Sequence, residues 1–160
     1  MIFVTVGSQM PFDRLVRAVD DWAGEHTDSE VFAQVGDSEY RPLNVRWTSH
    51  LDPGAFQAQV LTADVVVGHA GTGTILEALR LGKPVVVLPR RGHLMETRDD
   101  HQLATAGAFA STQGIYVANT LEDLRAHLDL VGGMALEQPA PSHAPECLLA
   151  VLRQFVSRGT

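Results

Sequence analysis

The chain has 160 residues, 45% of them apolar, with a mean hydropathy near zero, which is enough for one domain with a substantial core. Its 12 Lys and Arg stand against 19 Asp and Glu, a formal net charge of −7 that argues against nucleic acid as a general partner. The single cysteine, Cys147, excludes an internal disulfide and a zinc cluster and fits a reducing cytosol.

Strand and helix signals alternate along the chain. Ile2 to Val6 reads as a β-branched strand. Gly7-Ser8-Gln9 follows, then a helix from about Pro11 to Ala23, with Pro11 expected at its first position and Phe12, Leu15, Val16 and Val19 on its apolar face. Met1 enters this strand without a basic segment before it, so no secretory signal is expected, and no apolar run approaches the roughly 20 residues that span a bilayer. A cytoplasmic location is expected, with any membrane association made through a partner or an interfacial patch.

Val31 to Val35 reads as a second strand closed by Gly36-Asp37, and Val45 to Trp47 as a third. Asp52-Pro53 opens a helix through Leu61. Val65 to Val67 is the next strand. It runs into Gly68-His69-Ala70-Gly71-Thr72-Gly73-Thr74 and a helix that Gly82 stops after Leu81. Pro84 to Leu88 is a strand, Arg90 to Asp99 a charged loop, and Asp100 to Phe109 a helix. Ile115 to Val117 and a helix from Thr120 to Leu130, with Glu122 and Asp123 in its first turn, follow. One domain is expected over 1–131, a Gly- and Pro-rich linker over 132–145, and a terminal segment 146–160 with an apolar helix from about Glu146 to Val156.

Repeated β-α units of this length imply an α/β fold, a Rossmann-like parallel sheet with helices on both faces. Ligands then bind beyond the carboxyl ends of the strands, where the loops Gly7 to Met10, Gly68 to Thr74 and Pro89 to Gln102 would open together.

The glycine turn carries the chemistry. A strand that ends in glycines and opens a helix points bare N–H groups and the positive end of a helix dipole at one spot, which suits a diphosphate. Gly71 and Gly73 are expected to let a ligand approach the main chain, and Thr72 and Thr74 to add hydroxyls, Thr72 also as a helix cap. Glu77, about one turn on, is placed to bridge the vicinal hydroxyls of a ribose. Leu76 stands where the dinucleotide fingerprint needs its last glycine, and no Lys-Ser/Thr completes a P-loop. Lys83, Arg90, Arg91 and Arg98 make the neighbourhood locally positive in an acidic chain.

Phe3-Val4-Thr5-Val6-Gly7-Ser8-Gln9 with Pro11-Phe12-Asp13, then Ala63-Asp64 leading to His69-Ala70-Gly71-Thr72-Gly73-Thr74, Glu77, Gly82-Lys83-Pro84 and Asp100-His101-Gln102 occur in an order that resembles a known family. The chain resembles the C-terminal, donor-binding half of GT-B glycosyltransferases, the glycosyltransferase family 28 C-terminal domain. Within it, the chain is similar to the small stand-alone subunits: those catalytic in the two-part dolichyl-diphosphate N-acetylglucosamine transferase, and their bacterial exopolysaccharide counterparts.

The resemblance implies a UDP-sugar donor and an inverting, metal-independent hexosyltransferase of polysaccharide biosynthesis, with no cofactor and no metal site. It further implies donor contacts from Gly7, Ser8, His69, Gly71, Thr72, Gly73, Thr74, Glu77, Asp100, His101 and Gln102, with Gln102 the best candidate for a sugar hydroxyl. The uracil would lie near Trp47 to His50. An acceptor half is expected from a separate membrane-associated subunit, carrying a lipid-linked sugar acceptor.

No catalytic base is assigned. His69 and Asp13 are the candidates, though His69 is more readily read as structuring the turn and Asp13 as a helix-dipole partner. His101 is as much a helix-start residue as a site residue, and Arg90 and Arg91 read equally as a solvated loop, a docking patch or phosphate ligands. Two other functions fit the fold: a non-catalytic nucleotide-sugar-binding regulatory module, and a relative of the sugar-nucleotide epimerases. The donor sugar, the acceptor, the linkage, the partner and the oligomeric state are not legible in the sequence.

Overall fold

The computed structural model describes residues 1–98 and 101–133. The expected linker beyond 133 and the terminal helix lie outside the described residues. The described residues form twelve short elements: β1 (Ile2–Thr5), α1 (Asp13–Glu25), β2 (Val31–Gln34), β3 (Arg46–Thr48), α2 (Pro53–Thr62), β4 (Val65–His69), α3 (Thr72–Arg80), β5 (Val85–Leu88), a 3₁₀ turn (Gly92–Leu94), α4 (His101–Phe109), β6 (Ile115–Val117) and α5 (Leu121–Gly133).

The six strands form one parallel sheet in the order β3-β2-β1-β4-β5-β6. Strand order reverses between β1 and β4. Loops leaving these two neighbours depart in opposite directions and leave a crevice at their carboxyl ends.

The two-residue period of the strands divides the core. Ile2, Val4 and Val6 with Val65, Val67, Val86 and Leu88 face α1 and α5, where Phe12, Leu15, Trp22, Leu124 and Leu128 meet them. Phe3, Val66, Val85 and Val87 face the other side, against Val60 of α2, Ile75 and Leu79 of α3, and Phe109 of α4. A sheet buried on both faces needs near-continuous apolar strands, and this is why β4 and β5 read as unbroken valine runs.

Helix ends follow local chemistry. Asp52 caps α2 by accepting from Ala55 N–H at 2.9 Å, with Pro53 at the first position. α3 closes in a Schellman motif: Gly82 at φ +68°, Gly82 N–H donating to Leu79 O at 3.0 Å, and Lys83 N–H to Ala78 O at 2.8 Å.

Three expectations are revised. Pro11 lies outside α1, whose N-cap is Phe12, because Phe12 is drawn fully into the core and delays the first helical turn to Asp13. Thr72 is the first helical residue of α3 and Gly71 is its N-cap, so Thr72 does not cap the helix. α5 runs three residues beyond Leu130, through Gly132 and Gly133, where a linker was expected to begin.

Candidate functional site

The crevice between β1 and β4 is a cleft of about 850 Å³, in the size range of small-molecule sites. Gly7, Ser8, Gln9 and Met10 line it after β1, His69 at the end of β4 with Gly71, Gly73, Thr74 and Glu77 beyond it, and Arg90, Thr97 and Gln102 after β5. His50, Leu51 and Phe56 from the entry to α2 also line it, with Gln34 of β2 beneath. The three loops expected to open together do so, because all six strands are parallel.

The first turn of α3 receives no side-chain cap from Gly71. Its N–H groups and the helix dipole therefore bear on the cleft at Gly73 and Thr74. Glu77 lies one turn further. Its carboxylate is held bidentate by Arg80, Nε to Oε2 at 2.9 Å and a terminal nitrogen to Oε1 at 2.6 Å. The Arg80 hydrogen bond keeps the Glu77 carboxyl below its ordinary pKa.

His69 ends β4 with its ring between two glycines. A Cβ on Gly7 would stand 2.7 Å from the ring Cε1, and one on Gly71 2.2 Å from Nε2. The glycine at 71 therefore makes room for the imidazole, and it lines the cleft as well. Gly73 differs: a Cβ there would meet nothing within 4 Å. Burial, and after it the charge of Arg90, lowers the His69 pKa to about 4, so the ring is neutral at pH 7. Its Nδ1 is buried without a hydrogen-bond partner.

Arg90 is 4% exposed. One terminal nitrogen donates to Pro11 O (3.2 Å) and Glu96 O (2.9 Å), the other to Val6 O (2.7 Å) and Met10 O (2.6 Å). The guanidinium lies 4.9 Å from the centre of the Phe12 ring, and its Nε has no hydrogen-bond partner. Desolvation lowers its pKa, yet arginine starts so high that the cation persists. Among the described residues every acceptor of its terminal nitrogens is a neutral carbonyl and no carboxylate forms an ion pair with it, although the charge of Glu96 is felt, so a positive charge lines the cleft. The solvated-loop and docking-patch readings of Arg90 are set aside by its burial.

Gln34, unnoticed in the sequence, ties the floor together. Its Oε1 accepts from the Thr5 hydroxyl at 2.7 Å, and its Nε2 donates to Gly7 O and Ser49 O, each at 3.1 Å. Its one signal is a polar residue closing an otherwise apolar strand. Gln102 Oε1 accepts from Arg90 N–H at 3.1 Å.

Glu96 was equally hidden. Arg14 Nε donates to Oε1 at 2.6 Å and a terminal Arg14 nitrogen to Oε2 at 2.8 Å, while Arg91 N–H donates to Oε2 at 2.9 Å.

Other candidates lie apart. Asp13 heads α1, accepts from the Ser38 hydroxyl at 2.5 Å and does not line the cleft. Thr72 is absent from the lining, and His101 is exposed at the start of α4. Asp100 lies outside the described residues. Trp47 sits on the edge strand β3 beneath the Arg41 guanidinium, whereas His50, bound to Asp37 at 2.9 Å, reaches the cleft. Among the described residues no group of three or more His, Cys, Asp or Glu is placed to hold a metal ion, and no helix is long and apolar enough to cross a membrane.

Residues 1–145 match the glycosyltransferase family 28 C-terminal domain. Over 123 residues, 66% of this chain, the sequence is 32% identical to the UDP-N-acetylglucosamine transferase subunit ALG13 of Yarrowia lipolytica, and the match spans 58% of that relative. A solution structure of ALG13 superimposes with a TM-score of 0.63 over 97% of this chain and 94% of that one, at 23% identity. The crystal structure of the kitacinnamycin glycotransferase does so with a TM-score of 0.64 over 99% of this chain and 39% of that one, also at 23% identity. At that identity the two structures speak for the fold, a Rossmann-like domain.

Proposed function

The chain belongs to the glycosyltransferase family 28 C-terminal domain family, and from that premise we propose that it binds a UDP-sugar in the cleft between β1 and β4 and transfers the sugar. The observation that carries this reading is the meeting, in one cleft, of the uncapped start of α3 with the buried Arg90 cation. Both favour a diphosphate, the first through N–H groups and the helix dipole, the second through charge in a poorly solvated wall. Glu77, oriented by Arg80, would accept hydrogen bonds from the ribose hydroxyls, and Gln102 would bond a sugar hydroxyl. N-acetylglucosamine is the first sugar to test, since the Yarrowia relative is named for UDP-N-acetylglucosamine.

In the reaction an acceptor hydroxyl attacks the anomeric carbon from the face opposite UDP. The new C–O bond forms as the bond to the diphosphate oxygen breaks, with inversion, and UDP leaves with the bonding pair. Negative charge grows on the diphosphate, where the α3 N–H groups and Arg90 stabilise it without a metal ion. The hydroxyl proton needs a base. A His69 ring with its pKa near 4 is a poor one, so on this reading the base comes from the acceptor side. The word subunit in the relative's name supports a partner. We propose a membrane-associated one that presents a lipid-linked sugar, with this chain working beside it at the cytoplasmic face.

Calorimetric titration with UDP, UDP-glucose, UDP-glucuronate, UDP-N-acetylglucosamine and NAD tests the donor half. UDP and one UDP-sugar are expected to bind, and Glu77→Ala to weaken both strongly; NAD binding in their place would overturn the assignment.

A further inference from the structure

We propose that Arg14 and Glu96 are positioning residues that set recognition of the donor's sugar while leaving recognition of its nucleotide alone. The inference rests on the donor-site reading above and deepens it.

The loop from Pro89 to Arg98 has one 3₁₀ turn as its only regular structure, and its backbone bonds run within Arg91 to Glu96, so side-chain bonds anchor it to the rest of the domain. Glu96 is the centre of those bonds. Its carboxylate takes both prongs of Arg14, its Oε2 also takes Arg91 N–H, and its carbonyl takes Arg90. Arg14 then donates to Pro89 O at 2.9 Å, at the start of the same loop. The side chains of Arg14 and Glu96 are 18% and 11% exposed, so this is a half-buried bidentate pair of the kind that fixes geometry as well as adding energy.

Arg14 belongs to the first turn of α1, directly after the Gly7 to Met10 loop, and Glu96 stands 82 residues further along the chain. The pair therefore welds the loop after β5 to the one after β1, on two sides of the cleft. Thr97 follows Glu96 immediately and lines the cleft, and Gln102 is tied to the same loop through Arg90 N–H. Arg90 touches Glu96 only through the Glu96 main-chain carbonyl and is held besides by the carbonyls of Pro11, Val6 and Met10. Among the described residues no hydrogen bond links the side chains of Arg14 or Glu96 to the β4–α3 turn or to Glu77, where diphosphate and ribose would lie. Loosening the weld should displace Thr97 and Gln102 and leave the nucleotide contacts in place.

The test uses the full chain and measures the dissociation constants of UDP and of UDP-N-acetylglucosamine, UDP-glucose and UDP-glucuronate. The sugar increment is the ratio of the UDP constant to that of the tightest UDP-sugar. For Glu96→Gln, which keeps the shape and removes the charge, the increment is expected to fall about tenfold, the loss of one charge-assisted contact's worth of alignment, while UDP affinity stays within about twofold. Arg14→Met is expected to do the same, and the double variant Arg14→Met with Glu96→Gln to do no more than either alone. Equal weakening of UDP and UDP-sugar in Glu96→Gln, or no change in either, overturns the proposal, as does a wild-type increment of one. Failure of the wild type to bind UDP at all is a separate result, and it removes the donor-site reading itself.

Discussion

The imidazole of His69 occupies the space that a side chain on Gly71 would need, with Nε2 2.2 Å from where a Cβ would stand. The backbone of Gly71, at φ −90° and ψ 131°, would accept any residue, so glycine is needed here for space and not for backbone conformation. Gly71→Ala is expected to cost about 1–3 kcal/mol through overpacking and to lower UDP affinity by tilting the turn. His69→Ala in the same chain should return most of that stability. Denaturant unfolding of the two single variants and the double one checks this, and strict additivity would contradict it.

Gly73 separates the packing role of a glycine from a ligand role. It lies inside α3 with open space where its Cβ would be. Gly73→Ala should leave the fold intact and raise its stability by about 0.5–1 kcal/mol, because alanine is the better helix residue. If a diphosphate approaches the backbone there, the same variant loses about tenfold or more in UDP affinity, since a methyl group then stands between phosphate and N–H. A variant that gains stability and keeps full affinity would move the diphosphate elsewhere.

Glu77 should act on binding with little effect on folding. Its pair with Arg80 lies at the surface of α3, where such pairs contribute about 0–1 kcal/mol. Glu77→Gln is therefore expected to shift the melting temperature little and to weaken UDP more than deoxyuridine diphosphate, which lacks one of the two ribose hydroxyls. Equal loss for both nucleotides would separate Glu77 from the ribose.

His69 predicts a pH dependence of stability. Its pKa is about 4 in the fold against about 6.5 in the unfolded chain, so between these values the unfolded state binds the additional proton. Stability from this group is fully present above pH 6.5 and declines as pH falls toward 4, by on the order of 3 kcal/mol across the window. His69→Asn should flatten the profile between pH 6.5 and 4.5 relative to the wild type. Parallel profiles for the two proteins would mean that the ring is not held neutral by its surroundings.

Arg90 predicts a large structural effect. Its two terminal nitrogens serve the carbonyls of Val6, Met10, Pro11 and Glu96, and Arg90→Met strands them all. A loss of about 3 kcal/mol or more is expected, and Arg90→Lys should recover only part of it, because a single ammonium cannot reproduce the planar fork. Chemical denaturation of both variants measures the difference.

The alternation of apolar runs and amphipathic stretches reports local structure, and it placed every strand and helix of the described chain within a few residues, from Ile2–Thr5 to Ile115–Val117. Glycines whose role is a backbone conformation were also legible, as with Gly82 at the end of α3. Pro11 and Thr72 show the limit at single-residue level: Phe12, drawn into the core, is the N-cap of α1, and Gly71, with extended backbone, is that of α3.

The cleft's polar frame left almost no local trace. Gln34 reaches Thr5 across 29 residues, Glu96 reaches Arg14 across 82, and Arg90 reaches Val6 across 84. The parallel α/β architecture and the glycine turn that opens α3 are written locally, since they depend on residue period and backbone freedom within a few positions. The pairing of β1 with β4, the burial of Arg90 and the neutrality of His69 come from the folded arrangement. Each of these depends on which distant groups remove water from a side chain and which carbonyls or charges then face it.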